Sequence, residues 1–227
     1  MIHALVDADI FVYRVGYATE NEDETRAINT MAESLEDLLM VDLNVETWEI
    51  FITGKGNFRY DVAVTAPYKG NRKSEKPKHY HLLREYLEKA WDAHVATGIE
   101  ADDAISIKAT EMGTDSVIVT IDKDLNQVPG WHYNFVKKDL FFVTEEEGIL
   151  SFYKQMLTGD DVDNIKGVRG IGPKKADKLL DGKSEKEMWD ICVEHLGSEE
   201  RAIENAHLLW MLRYQDERFV PPQELRT

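Results

Sequence analysis

His3-Ala4-Leu5-Val6-Asp7-Ala8-Asp9-Ile10-Phe11-Val12-Tyr13 begins with an apolar run, meets a carboxylate and continues in apolar residues spaced for a helix. Residues 2–6 read as a strand and residues 9–17 as a helix, joined at Asp7. Working outward, the same alternation recurs. Further strands are expected over 47–52, 95–99 and 116–121, with shorter ones at 131–136 and 141–143. Helices are expected over 31–42, 80–93 and 100–111; in the second, Leu82, Leu83, Tyr86, Leu87, Ala90 and Trp91 recur at intervals of three and four. Strands alternating with helices predict an α/β domain with a mainly parallel central sheet flanked by helices. After Gly159 the strand signal vanishes, and short helices over 175–180, 186–195 and 201–214 predict a C-terminal helical appendage ending in a tail from Val220. The expected division is 1–158 and 159–227.

The 227 residues are 43% hydrophobic and 31% charged, which excludes a disordered or fibrous chain. No apolar run approaches the roughly 18 residues of a membrane span, and the first residues lack a basic leader, so neither membrane insertion nor secretion is expected. The single cysteine, Cys192, excludes an internal disulfide and a thiolate metal cluster and points to a reducing cytoplasm.

The net charge of −16 argues against a nucleic-acid binder until its distribution is read. Residues 54–78 carry seven basic side chains against two acidic ones, and residues 164–178 carry five against one. Two positive islands in an acidic chain suit a polyanion gripped locally.

The acids fall where the strands end. Asp7 follows the first strand, Glu100, Asp102 and Asp103 follow the third, and Asp122 and Asp124 follow the fourth. In an open parallel sheet those ends share one edge, where ligands bind. One Asp after one strand is most simply a helix cap; the pattern repeated after three strands points to a shared crevice. Carboxylates crowded there repel unless cations neutralise them, and oxygen donors without supporting thiolate or imidazole select Mg²⁺ or Mn²⁺. Asp160 and Asp163 complete the set. Two such ions are a standard device for phosphodiester hydrolysis.

Gly167-Val168-Arg169-Gly170-Ile171-Gly172-Pro173-Lys174-Lys175 reads as a tight glycine turn entering a helix near Pro173. Backbone N–H groups at a helix start, with Lys174 and Lys175 beside them, suit DNA phosphates. No Gly-Lys-Ser/Thr follows, so this is not a nucleotide P-loop. Residues 161–166 begin like a calcium loop but place Lys166 where the turn needs Gly. His79 and His81, two apart, read as surface or DNA-facing residues rather than zinc ligands.

Taken in order, Val6-Asp7, Tyr68-Lys69-Gly70-Asn71-Arg72, Glu100-Ala101-Asp102-Asp103, Asp122-Lys123-Asp124, Gly159-Asp160 with Asp163-Asn164-Ile165, and the glycine turn resemble the bacteriophage and bacterial 5′-to-3′ exonuclease and flap endonuclease family, within the PIN-like nucleases. The resemblance implies a PIN-like fold and metal-dependent hydrolysis of DNA from free 5′ ends or at 5′ flaps, and of RNA in RNA–DNA hybrids, by a monomer in the cytoplasm (the host's, if phage-encoded) without membrane contact. It places a first ion among Asp7, Glu100 and Asp102, a second among Asp122, Asp124, Asp160 and Asp163, and Asp103 as an accessory ligand. It makes residues 66–92 a helical arch, with Tyr68 stacking on a base and Lys69 and Arg72 holding the scissile phosphate. Lys55, Arg59 and Lys73 from the first island join the DNA contacts. The glycine turn becomes a helix-hairpin-helix element in which Lys166, Arg169, Gly170, Gly172, Lys174 and Lys175 grip the backbone around a K⁺ ion. One departure stands out: Thr53-Gly54 occupies the place where the family has an Asp after the second strand. A DNA-binding homologue with weakened cleavage is therefore an alternative, as is a phosphatase of haloacid dehalogenase type, whose nucleophile motif Asp7-Ala8-Asp9 resembles.

Overall fold

β1 (His3–Asp7) is the centre of the molecule because every side chain from Ala4 to Val6 is wholly buried, alternate residues supplying opposite cores. The structure, a computed structural model, describes residues 2–73 and 75–222. From β1 the chain runs through α1 (Ala8–Ala18), α2 (Glu24–Glu36) with a π-helical continuation (Asp37–Asp42), β2 (Thr47–Asn57), the single turn α3 (Arg59–Val62), α4 (Tyr80–Ala90), β3 (His94–Gly98), α5 (Ala101–Met112) and β4 (Ser116–Val119). The hairpin β5 (Gly130–Asn134) and β6 (Asp139–Val143) follows, then α6 (Glu145–Thr158), the two-residue strands β7 (Gly159–Asp160) and β8 (Ile165–Lys166), α7 (Pro173–Leu180), α8 (Glu185–Leu196) and α9 (Glu199–Leu209).

The main sheet has the order β3-β2-β1-β4-β5-β6, parallel except for β6. Strand order reverses between β1 and β4, so the crevice outside their carboxyl ends is the topological switch point. One face carries α1, α2 and α4, packing Phe11, Met31, Leu35, Leu83 and Leu87 against Val6, Ile50, Ile52, Val117 and Val119. The other carries α5, where Ile105 and Ala109 meet Leu5, Phe51 and Ile118. A second core joins Phe152, Tyr153, Met156 and Leu157 of α6 to α7, α8 and α9. Thus α6, on the nuclease side of the expected division at 158, packs into the helical core.

Several expectations shift. β2 extends to Asn57 because its parallel pairing with β3 continues through a register irregularity between Thr53 and Asn57. The expected arch has no helix across its described residues 66–79. The helix after it, α4, lies on the sheet because its apolar stripe, Leu83 and Leu87, is wholly buried. α6 was not expected at all. Its signals are the Thr144 and Glu147 capping box and the spacing of Ile149, Phe152, Tyr153 and Met156, preceded by Gly148. That glycine is required: a Cβ would stand 2.4 Å from the Gln127 carbonyl oxygen. α9 stops at Leu209, and the chain returns across α5, burying Met211 and Leu212. Of the expected tail, residues 223–227 lie outside the described residues.

Cys192 is wholly buried on α8 and donates to the Tyr153 carbonyl; burial pushes its thiol up to about 12. A thiol reagent is therefore expected to leave the native protein unlabelled and to react with one equivalent after unfolding in guanidinium. Rapid labelling of folded protein refutes this packing.

Candidate active site

Each acid that follows a strand is carried to the switch point by its own element. Asp7 ends β1 and accepts from the Thr120 hydroxyl, just past β4, at 2.9 Å. Burial first, then Asp9 and Asp122, raises its carboxyl to about 7. Asp122 caps the short 3₁₀ turn after β4, accepting from the Asp124 amide at 2.9 Å. Asp124 itself is raised to about 8 by burial, then by Asp122 and Asp160. Glu100 caps α5. Burial disfavours its charge, but Lys69 and Arg59 outweigh that and hold the carboxyl below its ordinary value. Asp102, in the first turn of α5, stands well above its ordinary value through burial, Glu100, Asp103 and Asp7.

The fourth group comes from the segment between β7 and β8. Asp160 accepts from the Val162 amide at 2.8 Å. Asp163 accepts from Arg72 at 2.5 Å and from the Tyr68 hydroxyl at 2.8 Å. Lys69 reaches Glu100, and stands 3.6 Å from Asp163. Its backbone has φ 55°, an unusual value for a non-glycine residue that persists where surrounding contacts impose it; here the Lys69 amide donates to the Asp163 carbonyl at 2.9 Å.

Two adjoining cavities share Lys69, Arg72, Glu100, Asp102 and Asp122. One, of about 100 Å³, adds Tyr68, Asp124, Asp160 and Asp163. The other, of about 480 Å³, adds Asp7, Asp9, Thr53, Tyr13, Tyr60 and Tyr80. Acids from four separate segments therefore line one crevice. Among the described residues, no three His, Cys, Asp or Glu side chains stand close enough together to hold one ion as placed. The carboxylates are instead satisfied by Lys69, Arg72, Tyr68, Thr120 and Gln155.

Three residues expected at the site do other work. Arg59 is 1% exposed and cannot face DNA; it grips Asp103 at 2.5 and 2.8 Å and donates to the carbonyls of Leu208 and Trp210. Asp103, 0% exposed, is the partner of that pair and the closing residue of the α5 capping box, so it has no free oxygen for an accessory ion. Tyr68, 5% exposed, spends its hydroxyl on Glu100 and Asp163 and offers no face for stacking. An unpaired buried charge costs several kcal/mol, which is why Arg59 and Asp103 lie together.

Lys55, Lys73, Lys166, Arg169, Gly170, Gly172, Lys174 and Lys175 are exposed. Lys174 and Lys175 open α7, while Arg169, Gly170 and Gly172 lie on the turn between α6 and α7. Gly159 and Gly167 stand back to back at its base, where a Cβ on either would come within 2.5 Å of the other's backbone nitrogen. His79 is buried against the Glu22 carbonyl, not at the surface.

The sequence reading passed over Asp9 and Arg84. The Thr53 amide donates to Asp9 at 2.8 Å, Arg84 donates to Asp9 at 2.9 Å and to the Thr53 carbonyl at 2.6 Å, and Ala101 donates to the Thr53 hydroxyl at 3.0 Å. A carboxylate thus stands beside Thr53, brought from α1. The only sequence signal was the second acid of Asp7-Ala8-Asp9. Tyr13, Tyr60 and Tyr80 were likewise passed over as the aromatic wall of the larger cavity.

Fold and site together define an α/β protein with a carboxylate crevice and cationic rim at the switch point of its sheet. Residues 3–154 match the family model of the 5′-3′ exonuclease, N-terminal resolvase-like domain, and the chain belongs to that 5′-3′ exonuclease family. It is 29% identical over 198 residues to a 5′-3′ exonuclease of Buchnera aphidicola, covering 78% of this chain and 68% of that one. It is 32% identical over 206 residues to DNA polymerase I of Rhizobium leguminosarum, covering 78% of this chain but 20% of the polymerase. The chain thus spans about a fifth of the polymerase relatives it matches. In fold it is similar to the T5 D15 protein co-crystallised with metal ions, with TM-score 0.72, 17% identity and coverage of 92% of this chain and 89% of that chain. The bacteriophage T5 D15 flap endonuclease in complex with DNA and metal ions is similar at TM-score 0.66, 17% identity and the same coverage. No helix among the described residues is long and apolar enough to cross a membrane.

Proposed function

We propose that this chain is a metal-dependent 5′-to-3′ exonuclease and 5′ flap endonuclease, hydrolysing DNA and also RNA in RNA–DNA hybrids as a monomer. The observation that carries the reading is that Asp7, Asp102 and Asp122, from three separate strand ends, line one cavity into which Lys69 and Arg72 reach. The donor chemistry fits two hard divalent cations, Mg²⁺ or Mn²⁺: all the crevice acids are oxygen donors, and burial first, then neighbouring carboxylates, push Asp7, Asp102 and Asp124 up where cations would stabilise their charge. Asp7, Glu100 and Asp102 would hold one, and Asp122, Asp124, Asp160 and Asp163 the other. When bound, such ions acidify water for attack at phosphorus and offset charge on the leaving oxygen.

The chain's own groups do the rest. Lys69 and Arg72, now spent on Glu100 and Asp163, turn to the scissile phosphate as it enters. Tyr13, Tyr60 and Tyr80 take the stacking role expected of Tyr68, since they line the open cavity; stacking contributes about 1–3 kcal/mol per base without sequence preference. The α6-turn-α7 unit acts as a helix-hairpin-helix in which exposed Lys174 and Lys175, at the α7 start, hold duplex phosphates and the turn carbonyls take K⁺. The phosphatase alternative needs an isolated catalytic Asp, whereas Asp7 shares its cavity with Asp9, Asp102 and Asp122.

Incubation with 5′-labelled duplex, flap and blocked-end DNA tests the reading. Products are expected with Mg²⁺ and none with chelator; binding without products in Mg²⁺ would instead support the weakened homologue. Replacing both Lys69 and Arg72 with Ala is expected to weaken DNA binding and flatten the slope of log affinity against log salt by about two units or less. An unchanged slope counts against both contacts.

A further inference from the structure

On the β4–β6 side of the crevice lies a further cleft of about 310 Å³ that the chemistry above does not use. Its floor is the outer hairpin, with His132 and Phe141 directly paired across β5 and β6. Its wall is the 3₁₀ turn after β4, which brings Lys123 and Asn126, and Lys137 enters from the hairpin turn. Asp122 lines this cleft and both cavities of the crevice, so the three adjoin at that side chain.

Three features point to one kind of occupant. Lys123 and Lys137 make no ion pair among the described residues, although acids predominate in this chain, so two cations remain for an anion. Asp122 and Asp139 also line the cleft, so its charges balance and the attraction for an anion is local to the two ammonium groups. Phe141 is only partly buried, and its ring is backed by His132, stacked at 5.4 Å with an interplanar angle of 17°. His132 is itself fixed by a hydrogen bond to the Val128 carbonyl at 2.7 Å. A rigid aromatic surface beside unpaired lysines and an amide is the chemistry of a nucleotide site, the ring for a base and the ammonium groups for phosphates.

The sheet sets the distance. The larger cavity spans the ends of β1, β2 and β3, and this cleft spans the ends of β4, β5 and β6. From β1 to β5 is two interstrand steps, about 10 Å, or about three stacked nucleotides at ~3.4 Å each. We propose that this cleft holds the substrate strand about two to four nucleotides from the reacting phosphate, on the side away from Tyr13 and Tyr80, with Lys123 and Lys137 against its phosphates. The inference rests on the nuclease reading above.

The test uses Lys137, which is exposed in a turn and outside the catalytic crevice. Because Cys192 is buried, a Lys137→Cys variant carries one accessible thiol for a photo-cross-linker. With full-length protein on 5′-flap DNA in Ca²⁺, adducts are expected only about two to four nucleotides from the site that the wild type cleaves in Mg²⁺. Lys137→Glu is expected to weaken binding of that DNA about five- to tenfold and lower the salt slope by about one, and to leave unchanged the binding of DNA ending within one nucleotide of the cleavage site. If wild type cleaves but adducts are absent or lie elsewhere, or Lys137→Glu binds both DNAs like wild type, the cleft assignment alone is overturned. If wild type neither binds nor cleaves, the nuclease reading fails and takes this inference with it.

Discussion

Asp122→Asn is expected to abolish strand cleavage while leaving DNA binding and folding intact. Asp122 is the acid that lines every cavity along the carboxyl edge, so its charge is felt across the whole crevice. The substitution keeps the shape of the side chain, and an Asn carbonyl still accepts from the Asp124 amide, so the turn after β4 is preserved. What is lost is one negative oxygen donor. A fall of at least about a thousandfold in single-turnover rate is expected, equivalent to ~4 kcal/mol of barrier. The melting temperature of the metal-free protein should not fall, because one of several mutually repelling carboxylates has been removed; Asp160 and Asp163 both act to raise Asp122 in the native protein, after burial itself. Cleavage of 5′-labelled flap DNA measures the first effect, and anisotropy without divalent ions measures binding. A variant cleaving within about tenfold of wild type would remove Asp122 from the chemistry.

Arg59→Ala and Asp103→Ala are expected to be the most destabilising single substitutions in this part of the molecule. Each removes the closest counter-charge of a buried ion, Arg59 keeping only Glu100 at 3.9 Å, at a cost of about 3–5 kcal/mol. For a chain of this size that corresponds to a melting temperature lower by about 6–20 °C. The pair also organises what surrounds it. Arg59 ties α3 to the end of α9 through the Leu208 and Trp210 carbonyls, and Asp103 accepts from the Leu212 amide. Calorimetry checks the prediction. A stable Asp103→Ala variant with weakened ion binding would restore Asp103 as a ligand, and a stable Arg59→Ala variant with a reduced salt slope would restore Arg59 to the DNA surface.

The errors at the site share one physical origin. Arg59 sits in a basic island and Asp103 in an acidic motif, so local sequence assigned both to the surface chemistry of their neighbours. Their ion pair joins residues 44 apart and has no local signature. Tyr68 lies beside Lys69 and Arg72 in sequence, yet its ring is buried and its hydroxyl is spent on the crevice acids, while they reach into the larger cavity. Asp9 reaches Thr53 only because β1 and β2 are adjacent parallel strands, pairing Asp7 with Phe51. The arch over residues 66–92 was implied by the resemblance alone; the apolar spacing of residues 80–93 predicted only an amphipathic helix, and such spacing reports burial without saying against what.

Sequence by itself determined the alternating α/β order, the placement of acids after β1, β3 and β4, and the two basic islands, because periodicity, capping and strand ends are written in neighbouring residues. Only the tertiary structure decided the order β3-β2-β1-β4-β5-β6, the joining of α6 to the helical core, and which charges face the crevice. The reason is that desolvation acts on a charge through everything packed around it. The same Arg or Asp is a ligand at the surface and a buried strut inside, and contacts from distant segments choose between the two.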